Sequence, residues 1–338
     1  MKKSEAKQNR KRRRILMAFI MVLFTGIILT ASTYAWFTAN RTVTVSSIDV
    51  NVTTSTGLQI STDATNWKSL ITNDDIHNAN WAGVVNQLPT TALNGIMAPI
   101  STVGETDAAT GFMKMYKGTI VTDDASGNNI LTAEKSTETN GTSGDFVAFD
   151  LFFQSNSAQK IYLTEGSSVA ATANGTDSGI QNAARVAFVK EGNVAYGSEP
   201  ATAQALKDAQ TPYIWEPNYD VHTASAIDNA RNTYEKATTA TGAAKLTYVG
   251  VKTDILKANK VLLNSTDTQY FGAVTTHESP KSGIPADTRM NAFDIEEGIT
   301  KVRVYMWVEG QDVDCEDKAS GGSLSFNLAF SIDASNNA

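Results

Sequence analysis

The sequence predicts an all-β protein, a β-sandwich with a small helical insertion at about residues 200–240, preceded by an N-terminal apolar helix. Short segments of alternating apolar and polar residues recur along the chain, separated by stretches rich in Asn, Thr, Ser, Gly and Asp. The sequence lacks the repeated alternation of strands and helices that indicates a doubly wound α/β fold. With 338 residues, of which 41% are hydrophobic, the chain is long enough to bury a substantial core.

The N-terminus has the layout of a secretory signal peptide. Residues 1–14 contain eight basic residues, and an apolar run of 17 residues follows at positions 15–31. Thr33 and Ala35 then fit the −3 and −1 positions of a signal-peptidase site. This order predicts cleavage between Ala35 and Trp36.

A retained membrane anchor is the alternative interpretation of residues 1–35. As a helix, the run of 17 residues spans roughly 25 Å at ~1.5 Å per residue, against a hydrocarbon layer of ~30 Å. Trp36 would then lie at the outer interface as an aromatic anchor. With either outcome, the body that begins at residue 36 is expected to be extracellular, either released or held at the cell surface.

Residues 26–38 resemble the end of the signal peptide in the TasA/camelysin family of Gram-positive bacteria. The matching positions are Thr33–Ala35, which form the cleavage site, and the aromatic pair Trp36–Phe37 that follows it. The resemblance covers about 13 residues. It implies export with cleavage by a SipW-type signal peptidase. It also implies extracellular fibres of the biofilm matrix, built from jelly-roll β-sandwich subunits in which the N-terminal segment complements the next subunit.

Charge is distributed unevenly along the chain. The first 35 residues carry eight basic residues and one acidic residue, whereas residues 36–338 carry 20 basic and 34 acidic residues, a formal charge of −14. Phosphate backbones repel so acidic a body, so nucleic acid is excluded as a partner. The single cysteine, Cys315, has no intrachain partner for a disulfide, and a buried thiol is favoured over a reactive one.

The body is predicted to begin with a bulged strand over residues 42–52. Val43 and Val45 share one parity of the alternation, whereas Ile48 and Val50 share the other. One extra residue at Ser46–Ser47 restores a single apolar face, which is typical of a β-bulge.

Further strands are predicted along the middle of the chain. The strongest covers residues 146–154, which are apolar on both faces and therefore central. Residues 160–164 and 184–190 follow as strands. Residues 200–210 and 223–237 are Ala-rich, favour helix and lack a broad apolar stripe, which indicates an exposed helical insertion.

The C-terminal part shows the clearest alternation. Residues 299–309 and 322–332 each place apolar side chains on one parity and mainly polar ones on the other. Two half-buried strands joined by an acidic loop are predicted at a sandwich edge.

The acidic loop supplies the candidate metal ligands. Asp312, Asp314 and Glu316 are spaced such that their oxygens are candidate ligands for Ca²⁺. The spacing of an EF-hand loop is absent from the sequence, so a solvated loop without a cofactor is the favoured interpretation.

A secreted peptidase of the camelysin kind is one alternative function. The three histidines, His77, His222 and His277, lie far apart in the sequence, and none forms a His-Glu-x-x-His pair. Nucleophile elbows, phosphate loops and dinucleotide fingerprints are also missing from the sequence. The sequence therefore predicts a protein without a catalytic site.

The leading hypothesis is an exported structural protein that forms or decorates surface fibres by β-strand complementation. The candidate strand-exchange segment contains Trp36, Phe37, Val43 and Val45, with the outer part free to exchange and the part after the bulge fixed.

An adhesin or carbohydrate-binding module is the other alternative. In that case Trp67, Trp81, Tyr305 and Trp307 are expected to be exposed aromatic platforms.

Overall fold

The computed structural model describes residues 36, 43–52, 57–89, 97–172, 178–232, 241–263, 265, 267–280, 291–319 and 321–332. The predicted signal peptide or anchor, residues 1–35, and Phe37 lie outside these ranges. Of the described residues, 43% are in strands and 11% in helices, which confirms the all-β class. Within these ranges we find no helix with the length and apolar character needed to cross a bilayer.

Seventeen strands, three α-helices and three short 3₁₀ helices (Ile180–Ala183, Lys257–Asn259 and Asp317–Ala319) make up the regular structure of the described ranges. The strands are β1 Thr44–Val52, β2 Gln59–Ser61, β3 Leu70–Ile71, β4 Pro99–Ser101, β5 Met115–Thr122, β6 Asn129–Ser136, β7 Val147–Ser155, β8 Gln159–Leu163, β9 Ser168–Ala171, β10 Ala184–Val194, β11 Tyr213–Glu216, β12 Val249–Val251, β13 Phe271–Ala273, β14 Thr276–Glu278, β15 Phe293–Ile295, β16 Gly298–Glu309 and β17 Ser323–Ser331. The helices are α1 Asn73–His77, α2 Pro200–Gln204 and α3 Ala224–Asn232.

The strands form two large sheets and one small one. The first sheet has the order β15-β8-β17-β1-β3, with β9 also paired to β17. The second has the order β14-β11-β10-β16-β4-β5-β6, with β7 paired to β16 and to β2. Strands β12 and β13 pair with each other.

Strand β1 confirms the predicted bulge. It runs parallel to β17, and the register shifts between Val45 and Ser47. Ser46 is thus the extra residue, and its hydroxyl donates a hydrogen bond of 3.0 Å to the backbone oxygen of Leu324. Because of this shift, Val45 and Ile48 are both buried although their sequence parity differs.

The largest cluster of buried apolar side chains draws on both large sheets, and we call it the two-sheet cluster. The first sheet contributes alternate residues of β1 and β17, and the second contributes alternate residues of β7, β10 and β16. The aromatic ring of Phe330 in β17 contacts Phe153 and Phe188 edge-on, with ring centroids 5.4 and 5.3 Å apart. Such edge-on contacts between aromatic rings stabilise this cluster beyond the gain from apolar burial.

Strand β16 is central, and the prediction that it is half-buried at an edge was wrong. It pairs with β10 on one side and with β7 and β4 on the other. All twelve of its residues are buried. One row, which includes Val304 and Met306, packs in the two-sheet cluster. The other row, which includes Arg303 and Tyr305, is covered by earlier segments of the chain, among them those that contain Met113 and Glu138.

The predicted helical insertion differs from expectation in two ways. Strand β11 lies between α2 and α3 and pairs with β10, so the insertion is not wholly helical. Helix α3 is also not simply exposed, because Ala226, Ile227 and Ala230 are buried against Leu246 and Val313. Alanine side chains are short, so this helix approaches its neighbours closely without a broad apolar stripe. Residues 233–237 of the predicted helix lie outside the described residues.

Substitutions on β17 test the assignment of its two faces. We expect Phe326→Asp to destabilise the fold by at least ~3 kcal/mol, since a carboxylate would be buried without a partner at a side chain that is 1% exposed. Ser325→Asp should cost less than ~1 kcal/mol, because Ser325 faces the other way and is partly exposed. Urea unfolding of both variants gives the two free energies. Equal losses of stability would show that the faces are assigned wrongly.

Candidate functional site

Trp36, the residue after the predicted cleavage site, is completely buried in its own chain. Its indole Nε1 donates a hydrogen bond of 2.9 Å to Oε1 of Gln311. The ring lies against two backbone positions, Gly118 in β5 and Gly310 directly after β16. A Cβ atom on these glycines would come within 2.6 and 2.4 Å of the ring, respectively. We call the space formed by Gly118, Gly310 and Gln311 the indole slot.

The two glycines of the indole slot are explained by space and not by backbone conformation. Gly118 and Gly310 both lie outside the group of glycines with positive φ. An alanine is therefore compatible with the backbone at both positions. The approach of the ring to less than 3.0 Å from a Cβ position is what excludes a side chain there.

The surroundings of the indole slot form a second apolar cluster, distinct from the two-sheet cluster. Its members come from β5, β6 and the chain between residues 251 and 271, and they are Tyr116, Ile120, Leu131, Ala133, Val251, Ile255, Val261, Tyr270 and Phe271, together with Trp36. Burial of a tryptophan in such a cluster is strongly stabilising because of the large area removed from water.

The described residues of the candidate strand-exchange segment are all docked in their own chain. Val43 and Val45 are buried in the two-sheet cluster, and Trp36 is buried in the indole slot. The outer part of the segment was expected to be free, whereas its residue Trp36 is buried in the structure. Thr33 and Ala35 of the predicted cleavage site, and Phe37, lie outside the described residues.

The acidic loop after β16 is buried, so the prediction of a solvated loop was wrong. Asp312 forms an ion pair with the guanidinium of Arg185, which is itself fully buried in β10. Arg185 also donates a hydrogen bond of 2.7 Å to Glu216 at the end of β11. The free-energy cost of burying these charges is offset because each lies next to an opposite charge and makes hydrogen bonds.

The second carboxylate of the loop, Asp314, binds the segment before α3. Its Oδ2 lies 2.5 Å from Nδ1 of His222, and its Oδ1 accepts a hydrogen bond of 2.9 Å from the backbone of Thr223. The other ring nitrogen of His222 donates to the backbone oxygen of Ala244 at 2.8 Å, because a carbonyl oxygen only accepts. Burial alone lowers the pKa of His222, but the carboxylates of Asp314 and Asp312 raise it above its ordinary value.

The third carboxylate, Glu316, binds α3 itself. It accepts hydrogen bonds from the Ser225 hydroxyl at 2.9 Å and from the Asn229 side-chain amide at 2.8 Å. The oxygens of Asp312, Asp314 and Glu316 thus face donors of the protein, each on a different partner. Within the described ranges, no group of three or more His, Cys, Asp or Glu side chains is arranged to hold a metal ion.

The histidines lie on three different elements. His77 ends α1, and His277 lies in β14 with its ring stacked on Tyr213 at a centroid distance of 4.0 Å. His222 is the one histidine of the three that pairs with a carboxylate in the described structure. Because both of its ring nitrogens already face acceptors, it is not positioned to take a proton from a nucleophile.

A second cluster of buried charges lies on the face of β16 that carries Lys301 and Arg303, and sequence reasoning missed it. Arg303 donates to Asp150 at 2.7 Å and also pairs with Glu138. Lys301 lies 3.2 Å from Asp150 and 2.8 Å from Glu191. Burial and the neighbouring Asp150 charge raise the pKa of Glu191 to about 7.

Tyr305 and Trp307 are fully buried in β16, so they are not the exposed platforms that the adhesin alternative needs. Trp67 and Trp81 are partly buried and pack against the cluster around Phe152. Tyr305 and Trp307 lie with Lys301 and Arg303 on one face of β16. Two such large aromatic residues were the signal in the sequence that this face is buried. Cys315 is buried as predicted, and burial raises the pKa of its thiol well above the ordinary value.

Comparisons of the chain with models of protein families, with curated proteins and with solved structures gave no match. The geometry of the described residues and the sequence therefore carry the functional argument.

A double-mutant cycle tests the indole slot. In the chain with Trp36, Gly118→Ala should destabilise the fold by about 1–3 kcal/mol, because the new Cβ overlaps the ring. In the Trp36→Ala background the same change should cost less than ~0.5 kcal/mol, since the ring is gone. Urea unfolding of the four proteins gives the coupling energy. A coupling near zero would mean that Trp36 does not lie against Gly118.

The carboxyl group of Glu309, next to the indole slot, predicts a pH dependence. Burial raises its pKa from 4.5 to about 7, although the indole of Trp307 and the backbone of Gln311 both donate to it. The folded state thus holds this proton more tightly than the unfolded state. Its contribution to stability is greatest below pH 4.5 and is lost as the pH rises to about 7.

When the pH is raised from about 5 to about 8, the native chain should unfold at a lower urea concentration. We expect this fall in the urea midpoint to be smaller for Glu309→Gln, which has no carboxyl group to titrate at this position. Exposed Glu134→Gln is the matched control and should retain the native fall. If Glu309→Gln shows the same fall as the control, Glu309 does not titrate in this range.

Proposed function

We propose that the chain is an exported structural protein whose β-sandwich body assembles into fibres at the cell surface or in a biofilm matrix. Assembly proceeds by β-strand complementation, with the N-terminal segment as the exchanged element. The partners are a SipW-type signal peptidase, the membrane before cleavage and further copies of the same chain. In this proposal no side chain is catalytic, and no cofactor is needed.

The arrangement of the N-terminal segment is the observation that carries this proposal. Trp36 lies in the cluster around the indole slot, whereas Val43 and Val45 lie in the two-sheet cluster. Residues 37–42 are all that joins these two anchored parts. An element attached at two separate places by a short link meets the requirement for exchange between copies, because the same contacts form within or between chains.

Strand β1 also provides an edge suited to strand addition. It pairs with β17 over eight positions, but its described pairing with β3 involves only Val50 and Asn51. The described part of this other edge also bonds Met97 at Val43, and we propose that a strand from another copy pairs between these two contacts, along Val45–Asp49. Backbone hydrogen bonds along such an edge supply affinity, and alternate side chains supply register.

Electron microscopy of residues 36–338 with a native N-terminus tests the proposal. We expect filaments from this protein, and N-terminal sequencing of secreted material should give Trp36 as the first residue. Removal of residues 36–42 should give a folded monomer without filaments, because the exchanged element is gone.

Removal of residues 333–338 from the other end is the matched control and should leave filaments intact. A cooperative thermal transition monitored by circular dichroism separates a folded monomer from an unfolded product. Filaments that persist without residues 36–42 would refute strand exchange by the N-terminal segment.

A further inference from the structure

The indole slot has the features of a binding site for one kind of side chain. Gly118 and Gly310 leave a flat space, and the Cβ positions on both sides would lie within 2.6 Å of the ring that fills it. A flat aromatic ring fits such a space, whereas a branched aliphatic side chain does not. The two glycines come from β5 and from the turn after β16, which are far apart in the sequence.

A polar contact narrows the choice among aromatic rings. Gln311 is 6% exposed, and its Oε1 accepts the hydrogen of the Trp36 indole nitrogen. The backbone N–H of Gln311 donates to Glu309 at 3.0 Å, which fixes the turn that presents this acceptor. A phenylalanine ring would leave the buried oxygen without a donor, which is unfavourable.

A short stretch of chain joins the occupant of the slot to the start of β1. Seven peptide units connect Trp36 to Val43, which corresponds to a reach of at most about 25 Å. None of the slot contacts uses the backbone of β1, where the same segment is paired to β17. A tryptophan on another copy, placed within the same reach, makes identical contacts.

Resting on the proposed function, we infer that the indole slot is an exchangeable binding site specific for the N-terminal tryptophan. In a single chain Trp36 fills its own slot, and in the fibre Trp36 of a second copy fills it. The slot thus determines which N-terminal segments a subunit accepts. Occupation within the chain competes with occupation between chains, because a short link gives Trp36 an effective concentration in the mM range.

Two complementary variants of residues 36–338 separate the two roles of a subunit, which are to supply the tryptophan ring and to supply the slot that receives it. Trp36→Ala has an open slot and no donor ring. Gly118→Val has a donor ring and a closed slot, and valine suits the extended backbone of β5. Thr119→Val, on the exposed neighbouring position of β5, is the matched control for Gly118→Val and should behave as the native chain.

We expect each of the two variants alone to remain monomeric and their 1:1 mixture to form a heterodimer that does not grow further. Analytical ultracentrifugation measures these masses, and thermal melting verifies that each variant is folded. If Trp36→Ala does not fold, Trp36→Phe replaces it as the acceptor, because a Phe ring supports the slot but lacks the bond to Gln311 and is displaced by Trp36 of the Gly118→Val chain. Filaments of Gly118→Val alone would overturn the slot inference and leave the proposed function standing.

A peptide experiment keeps the inference testable if the native protein forms no filaments, an outcome that refutes the proposed function. The peptide Trp-Phe-Thr-Ala-Asn-Arg-Thr, the sequence of residues 36–42, is titrated into the Trp36→Ala chain by calorimetry. We expect binding that weakens at least about tenfold when Phe replaces the first Trp. It should disappear when Gly118→Val is added to the chain. Equal affinity of the Trp and Phe peptides, or no binding of either, would overturn the inference.

Discussion

Strand β16 carries two rows of side chains that need opposite surroundings, and both rows are buried. One row packs in the two-sheet cluster at the usual gain of apolar burial. The other contains Lys301 and Arg303, whose charges are costly to bury unless carboxylates and hydrogen bonds surround them. Glu138 in the chain after β6, Asp150 in β7 and Glu191 in β10 supply those carboxylates. The chain after β6 must therefore pass over this face at the position that the Arg303–Glu138 ion pair fixes.

Buried ion pairs also attach the insertion between β10 and β12 to the rest of the fold, through the acidic loop after β16. Arg185 holds Asp312 of the loop and Glu216 of β11, while Asp314 holds His222 at the start of the segment that leads into α3. A helix with short alanine side chains gains little from apolar burial, so polar contacts in a medium of low dielectric constant contribute much of its attachment. Loss of one partner in such a cluster leaves the other charge buried and unpaired, which destabilises more than loss of both.

The local sequence pattern correctly predicted those features of the fold that depend on neighbouring residues alone. The bulge at Ser46–Ser47 follows from a change of parity, and the central position of residues 146–154 follows from an apolar run. The burial of the second face of β16 could not be predicted in this way. A strand with charged residues at alternate positions has the same sequence pattern whether that face is in contact with water or with other charged groups. The partner of Arg303, Glu138, lies 165 residues away in the sequence. Trp36 was similarly assigned to a free end, since its slot is formed by residues distant in the chain.

The parallel pairing of β1 with β17 has a mechanical consequence. The strand that follows the N-terminal link and the strand that precedes the C-terminal residues lie side by side and point the same way over eight paired positions. A pull on residue 36 and an opposite pull beyond Ser331 therefore act at opposite ends of this ladder. All of its hydrogen bonds then bear the load together in shear, whereas an antiparallel pair pulled at the same termini would open one bond at a time. Tension applied between these two ends is thus resisted by the whole length of the ladder.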